Sequence, residues 1–161
     1  MRIKGLHHNA YRCRDSEETR KFYEDFLGLP LVNAFEINTT KTGRAAKVLH
    51  SFYAMADGSC LAFFEAPEQP FEFKVQHDFD LHIALEIPHD DIQPWLGKAS
   101  AAGMEVRGPS DHGMIDSIYF RDPNGYVIEL TGKKPGHAAA MDPAQNGARR
   151  SLEQWQSDKA S

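Results

Sequence analysis

Ser117-Ile118-Tyr119-Phe120-Arg121-Asp122-Pro123-Asn124-Gly125-Tyr126-Val127-Ile128-Glu129-Leu130 reads as strand, turn and strand. Apolar and aromatic residues flank Asp-Pro-Asn-Gly, a combination that favours a tight turn over continued strand. Side chains alternate beyond the turn, so Val127 and Glu129 share one face while Ile128 and Leu130 share the other. A carboxylate in so apolar a strand is costly unless it is exposed, paired or bound to a metal. On this stretch alone an exposed edge-strand glutamate is an equal reading.

Working outward, the same pattern occurs twice. In the first half, residues 2–13 read as a strand, and Asp15 caps a helix over 16–27 with Glu18 completing a capping box. Phe22, Tyr23, Phe26 and Leu27 form the apolar face of that helix, and Gly28 stops it. Strands follow over 31–35, 46–55 and 60–65, with Asp57-Gly58 as a hairpin turn between the last two. After a loop rich in Pro, Phe and charge, the second half repeats this order. It has a strand over 81–87, a helix capped by Asp90 or Asp91 and ending at Gly103, and strands over 104–107, 115–120 and 126–131. His8-Asn9-Ala10 corresponds to His82-Ile83-Ala84, and the segment ending in Phe64-Glu65 to the one ending in Ile128-Glu129. Each half therefore carries a histidine early in its first strand and a glutamate late in its last.

The totals fit one soluble domain. A chain of 161 residues with 41% hydrophobic and 25% charged residues can bury a core without staples. The net charge of −5 gives no basic footprint for nucleic acid or an anionic membrane. Cys13 and Cys60 make neither a disulfide framework nor a zinc ribbon, which points to a reducing compartment. No run is long enough to span a membrane and the N-terminal stretch has no signal-peptide core, so a cytoplasmic location is expected. From Lys133 the composition changes to a linker. Asp142-Pro143 then caps a helix whose Ala144, Ala148, Leu152 and Trp155 share a face that needs a docking surface.

Two imidazoles and a carboxylate form a facial triad for a divalent metal, and His8, His82 and Glu129 are the candidates. His7 falls on the opposite strand face, out of register with His82. Glu65 is either a fourth ligand or an exposed strand-end carboxylate. Three protein ligands leave an octahedral metal room for a bidentate substrate and dioxygen, whereas four suit a Lewis acid acting on a carbonyl or enediolate. Tyr119, ten residues before Glu129, is either a core aromatic or a phenol aimed at substrate. His112 is a solvated loop histidine or a catalytic acid or base.

These segments resemble the vicinal oxygen chelate superfamily, which includes glyoxalase I, extradiol dioxygenases, fosfomycin-resistance enzymes and bleomycin-binding proteins. The resemblance covers residues 3–132. It implies an α+β fold of two βαβββ modules forming one cupped mixed sheet around a central metal site. Domain 1–132 would then divide into module one (1–67), an intermodule loop (68–80) and module two (81–132), followed by a helical tail over 133–161. It implies His8, His82 and Glu129 as metal ligands and Tyr119 and His112 as catalytic residues. Fe(II) is the first choice of metal, with Ni, Zn or Co as alternatives, and a homodimer acting on a small molecule is expected. The run His112, Tyr119, Asp122-Pro123, Gly125 and Glu129 is similar to the extradiol signature, although Ser110 departs from it and the upstream acid/base histidine has no match. An extradiol-type dioxygenase of a small aromatic diol is the leading expectation. A glyoxalase-like lyase or isomerase is the alternative, and a metal-free sequestering protein the third.

Overall fold

Two βαβββ modules and a C-terminal helix make up the α+β fold of the computed structural model, which describes residues 2–40 and 42–159. Met1, Lys41, Ala160 and Ser161 lie outside the described residues. Hydrogen bonding closes each module's strands into its own four-stranded sheet rather than one ladder through both. The chain divides into two units, one built from the residues up to Leu81 with Arg121–Tyr126, the other from His82–Phe120 with Val127 onward.

In the first unit, β1 (His8–Cys13) runs parallel to β4 (Cys60–Glu65), which pairs antiparallel with β3 (Ala45–Ala54) and, through it, with β2 (Leu31–Thr39). The expected strand over 2–13 is shorter than the sequence suggests. Its partner β4 begins at Cys60, opposite His8, so the residues before His7 have no strand to pair with. Asp57-Gly58 turns β3 into β4 as expected, with Gly58 at φ 82° and Asp57 accepting from the Ser59 backbone and hydroxyl.

Asp15 caps α1 (Ser16–Arg20), accepting at 2.8 Å from the Glu18 N–H. The reciprocal half of the capping box is missing, because Glu18 pairs with Arg14 instead. The helix then widens into a π-helical turn over Lys21–Phe26, with Leu27 N–H bonding Phe22 O at 2.9 Å, before Gly28 ends it at φ 81°. This segment buries Phe22 and Tyr23, with the Tyr23 ring against Tyr53 and Phe63 and Phe22 against Tyr23 and Phe26. Burial also pushes the Cys13 thiol up to about 11, which leaves it an inert core residue.

The Asp122–Gly125 turn is part of this core. Asp122 is 2% exposed and accepts from Tyr23 OH, the N–H groups of Asn124 and Tyr126, and Asn124 Nδ2, at 2.8–3.0 Å. Asn124 Oδ1 accepts from Arg14 N–H at 2.8 Å, and Tyr126 OH donates to Arg12 O at 3.0 Å. Gly125 sits at φ 94°, where a Cβ would lie 2.3 Å from Lys74 O. Both the backbone conformation and the contact reject a side chain. Gly125→Ala is expected to cost ~3 kcal/mol or more and to lower the midpoint of thermal unfolding accordingly.

In the second unit, β5 (His82–Ile87) runs parallel to β8 (Val127–Lys133), with β7 (Ile115–Arg121) and β6 (Arg107–Asp111) completing the order β5-β8-β7-β6. A 3₁₀ turn over His89–Asp91 leads into α2 (Ile92–Ala101), and neither Asp90 nor Asp91 caps it by a side-chain bond. The Asp91 N–H bonds Pro88 O, so backbone replaces the expected cap. The strand expected at 104–107 begins at Arg107 instead. Its residues Arg-Gly-Pro-Ser-Asp have little strand propensity; Arg107, Ser110 and Asp111 pair with β7, with a register shift across Gly108 and Pro109.

The tail differs from expectation at both ends. His137–Ala140 forms a short helix, α3, inside the presumed linker, and the last helix, α4, spans Ala148–Asp158. Asp142 makes turn bonds to Ala144 N–H and the Gln145 amide rather than capping that helix. The backbone enters α4 through Gly147 at φ 67°, a conformation outside the helix, which sets the later start. Leu152 and Trp155 are exposed. Among the described residues no helix is long and apolar enough to cross a membrane.

Candidate metal and acid–base site

Strand register in the second unit explains which side chains meet. His82 pairs with Val127 and Ala84 with Glu129, so His82 and Glu129 lie on one sheet face, diagonal to each other. His82 Nε2 is 3.1 Å from Glu129 Oε2. Glu129 is only 5% exposed, among the buried residues Val127, Ile128 and Leu130 of β8, whereas the His82 side chain is 41% exposed. The expectation of an exposed edge-strand glutamate is therefore excluded. β8 is a central strand, paired on both sides.

Tyr119 reaches the other carboxylate oxygen from β7, donating to Glu129 Oε1 at 3.0 Å. His112, in the loop after β6, lies with Nε2 2.8 Å from the same phenol oxygen. A phenol has one proton. Because Tyr119 spends it on Glu129, the oxygen must accept from His112, whose Nε2 then carries a hydrogen. Arg107 stacks over the Tyr119 ring at 4.7 Å. Burial, followed by the bond to Glu129, raises the Tyr119 pKa above its usual 10.0, so the phenol is a neutral donor at physiological pH. The structure thus joins His82, Glu129, Tyr119 and His112 into one hydrogen-bonded chain. Tyr119→Phe should break it and cut turnover by ~10²-fold with little change in fold, measured as kcat alongside a melting curve.

His8 belongs to the first unit, where it starts β1 with its ring 5.4 Å from Phe52. The His7 ring was expected on the opposite strand face. Instead its Nδ1 meets His8 Nδ1 at 2.7 Å, because His7 precedes the strand and alternation does not govern it. Glu65 is corrected by register. Two residues beyond each leading histidine, Ala84 faces Glu129 in module two, and Ala10 faces Ala62 in module one. Ala62 is therefore the counterpart of Glu129. Glu65, three positions on, lies on the other strand face and accepts from the Ser16 N–H at the start of α1, at 2.8 Å.

The residues fit a divalent cation in donor chemistry. A carboxylate only accepts, so the hydrogen shared by His82 and Glu129 sits on Nε2, and a metal ion would replace it. Among the described residues no group of three or more His, Cys, Asp or Glu is drawn close enough to hold a metal ion, so the second unit offers a pair. His50 escaped the sequence reading. It is 6% exposed on β3, and its alternation with Phe52 marks only the face that the two share.

Residues 5–130 match the profile of the Glyoxalase/Bleomycin resistance protein/Dioxygenase superfamily. The metallothiol transferase FosB of Bacillus licheniformis is 30% identical over 131 residues, covering 80% of this chain and 75% of that protein. The putative ring-cleaving dioxygenase MhqA of Bacillus subtilis is 26% identical over 152 residues, covering 91% of this chain, which spans 46% of the length of MhqA. The crystal structure of a glyoxalase/dioxygenase from Nostoc punctiforme superposes with a TM-score of 0.63 at 23% identity, over 81% of this chain and 92% of that one.

Proposed function

This chain belongs to the glyoxalase/bleomycin resistance protein/dioxygenase superfamily, and from that premise we propose that it is an extradiol-type dioxygenase of a small aromatic diol. The superfamily contains metal-dependent dioxygenases, lyases and transferases acting on small molecules. The observation that carries the reading is the Glu129–Tyr119–His112 chain, combined with an alanine, Ala62, where a second carboxylate would be needed for a four-ligand site. His82 and Glu129 would hold a divalent metal, Fe(II) by preference, with His8 as the third ligand implied by the sequence repeat. Such a cation, when bound, supplies the chelation of two adjacent oxygens and the electron transfer to dioxygen.

The protein's own groups handle protons and orientation. The neutral Tyr119 phenol donates a hydrogen bond to an oxygen, and Arg107 lies over its ring at 4.7 Å. His112 is exposed and holds its Nε2–H against the Tyr119 oxygen, so it can return a proton to that oxygen and be reprotonated from solvent. In the overall reaction the ring C–C bond beside the diol breaks and both atoms of O₂ enter the product, so no external reductant is required.

Anaerobic loading with Fe(II) followed by catechol, 3-methylcatechol and 4-methylcatechol in an oxygen electrode tests this. The expected result is one O₂ consumed per ring opened, with the activity removed by a chelator. Absence of oxygen uptake with all three would overturn the reading. The 30% identity to FosB favours one second reading, addition of a thiol to a small electrophile at the same metal. Thiol consumption without O₂ would select it.

A further inference from the structure

The first unit carries an assembly that the proposed reaction has not used. Pairings of Phe35 with His50, His50 with Phe64 and Phe52 with Ala62 place these side chains on one face of the sheet, together with His8. His50 is at the centre. Its ring stacks on Phe64 at 3.7 Å and 13°, leans on Phe52 at 4.3 Å, and meets the edge of Phe35 at 5.4 Å. His8 closes the group at 6.3 Å from His50.

An imidazole buried among phenyl rings is costly unless its nitrogens are satisfied. Nδ1 is, lying 3.0 Å from Phe63 O. A carbonyl accepts and never donates, so Nδ1 carries the hydrogen. Nε2 of the neutral ring is then a lone pair, oriented by the backbone of the neighbouring strand. The bond to Phe63 O is made at Nδ1, which leaves Nε2 on the opposite edge of the ring. Phe35 remains 44% exposed, so the rings are open to a ligand on that side.

We propose that this face of the first unit binds a flat aromatic ligand against Phe35 and Phe52, with His50 Nε2 accepting a hydrogen bond from a ring hydroxyl. The ligand class that fits is a flat, hydroxylated aromatic. Phenyl faces reward a planar ring by offset or edge contact, and a lone acceptor within an apolar wall discriminates for a hydroxyl over a hydrogen or methyl ether. The inference rests on the dioxygenase reading for the identity of the ligand, but it concerns binding alone.

4-Nitrocatechol, whose absorption shifts when a hydroxyl is engaged, is the probe. It would be titrated into the full chain, both metal-free and loaded with redox-inert Zn(II), for wild type, His50→Phe, His50→Gln and Phe52→Leu, with circular dichroism checking the fold of each. His50→Phe should weaken binding at least tenfold in both forms. His50→Gln, which keeps an acceptor, should lose much less, and 1,2-dimethoxy-4-nitrobenzene should bind wild type as weakly as the dye binds His50→Phe. Equal affinity of wild type and His50→Phe overturns the inference, as does failure of wild type to bind the dye. A dye affinity that tracks dimerisation, with Phe35→Ser dissociating the dimer, also overturns it, since a second copy would then cover this face. Failure of the two readings is separable. Oxygen uptake with unchanged dye binding in His50→Phe removes only this inference, and His50-dependent binding without oxygen uptake removes only the dioxygenase.

Discussion

Glu129→Ala is expected to lose metal and activity together while the fold holds. The substitution removes the partner of His82 Nε2 and the acceptor of the Tyr119 hydroxyl at once. Apparent metal affinity should fall at least ~100-fold and turnover at least ~10³-fold. Stability should change little, because relief of the cost of burying the carboxylate is offset by the lost bonds to Tyr119 and His82. Metal content after dialysis, steady-state rates and a thermal melt on the same sample check all three. A Glu129→Ala protein that retains stoichiometric metal would show that the cation sits elsewhere.

Asp122→Ala should do the opposite, costing stability first. Its carboxylate accepts from Tyr23 OH, two backbone N–H groups and the Asn124 amide inside the first unit. Each buried donor left without an acceptor costs ~1–3 kcal/mol, so a loss of about 3–5 kcal/mol is expected after partial relaxation. Asp122→Asn keeps the shape and one oxygen and should lose about half as much. Denaturant titrations followed by tryptophan fluorescence measure both, and a loss below about 1 kcal/mol for Asp122→Ala would contradict the hydrogen-bond account.

Much of this was legible in the sequence where local chemistry decides the structure. Asp57-Gly58 fixed the start of β4, and Asp15 fixed the start of α1. Strand β6 starts later than expected because Gly108 and Pro109 read as loop; pairing of Arg107, Ser110 and Asp111 with β7 carries the strand past them through a register shift. Glu65 was matched to Glu129 by residue type. Counting four residues on from Gly58 and from Gly125 gives Ala62 and Glu129, the pair that the register supports. His50 was invisible for a different reason. Its meaning lies in the tautomer imposed by Phe63 O, a contact across strands that no spacing along one strand can announce. The link between His112 and Tyr119 was foreseen as two separate candidates, but their direct bond needed the loop to fold back.

The capture of Arg121–Tyr126 by the first unit constrains how the polypeptide matures on the ribosome. Arg14 N–H finds its acceptor in Asn124, 110 residues downstream, and Arg12 O its donor in Tyr126. The amino-terminal sheet can pair its strands once β4 has emerged, but its core stays incomplete until the turn arrives. At ~5–20 residues per second that delay lasts several seconds. A gene fragment ending at Leu81 would leave Tyr23 without its acceptor and would be expected in inclusion bodies. Adding the nascent chain through Tyr126 is what should make the amino-terminal unit protease-resistant.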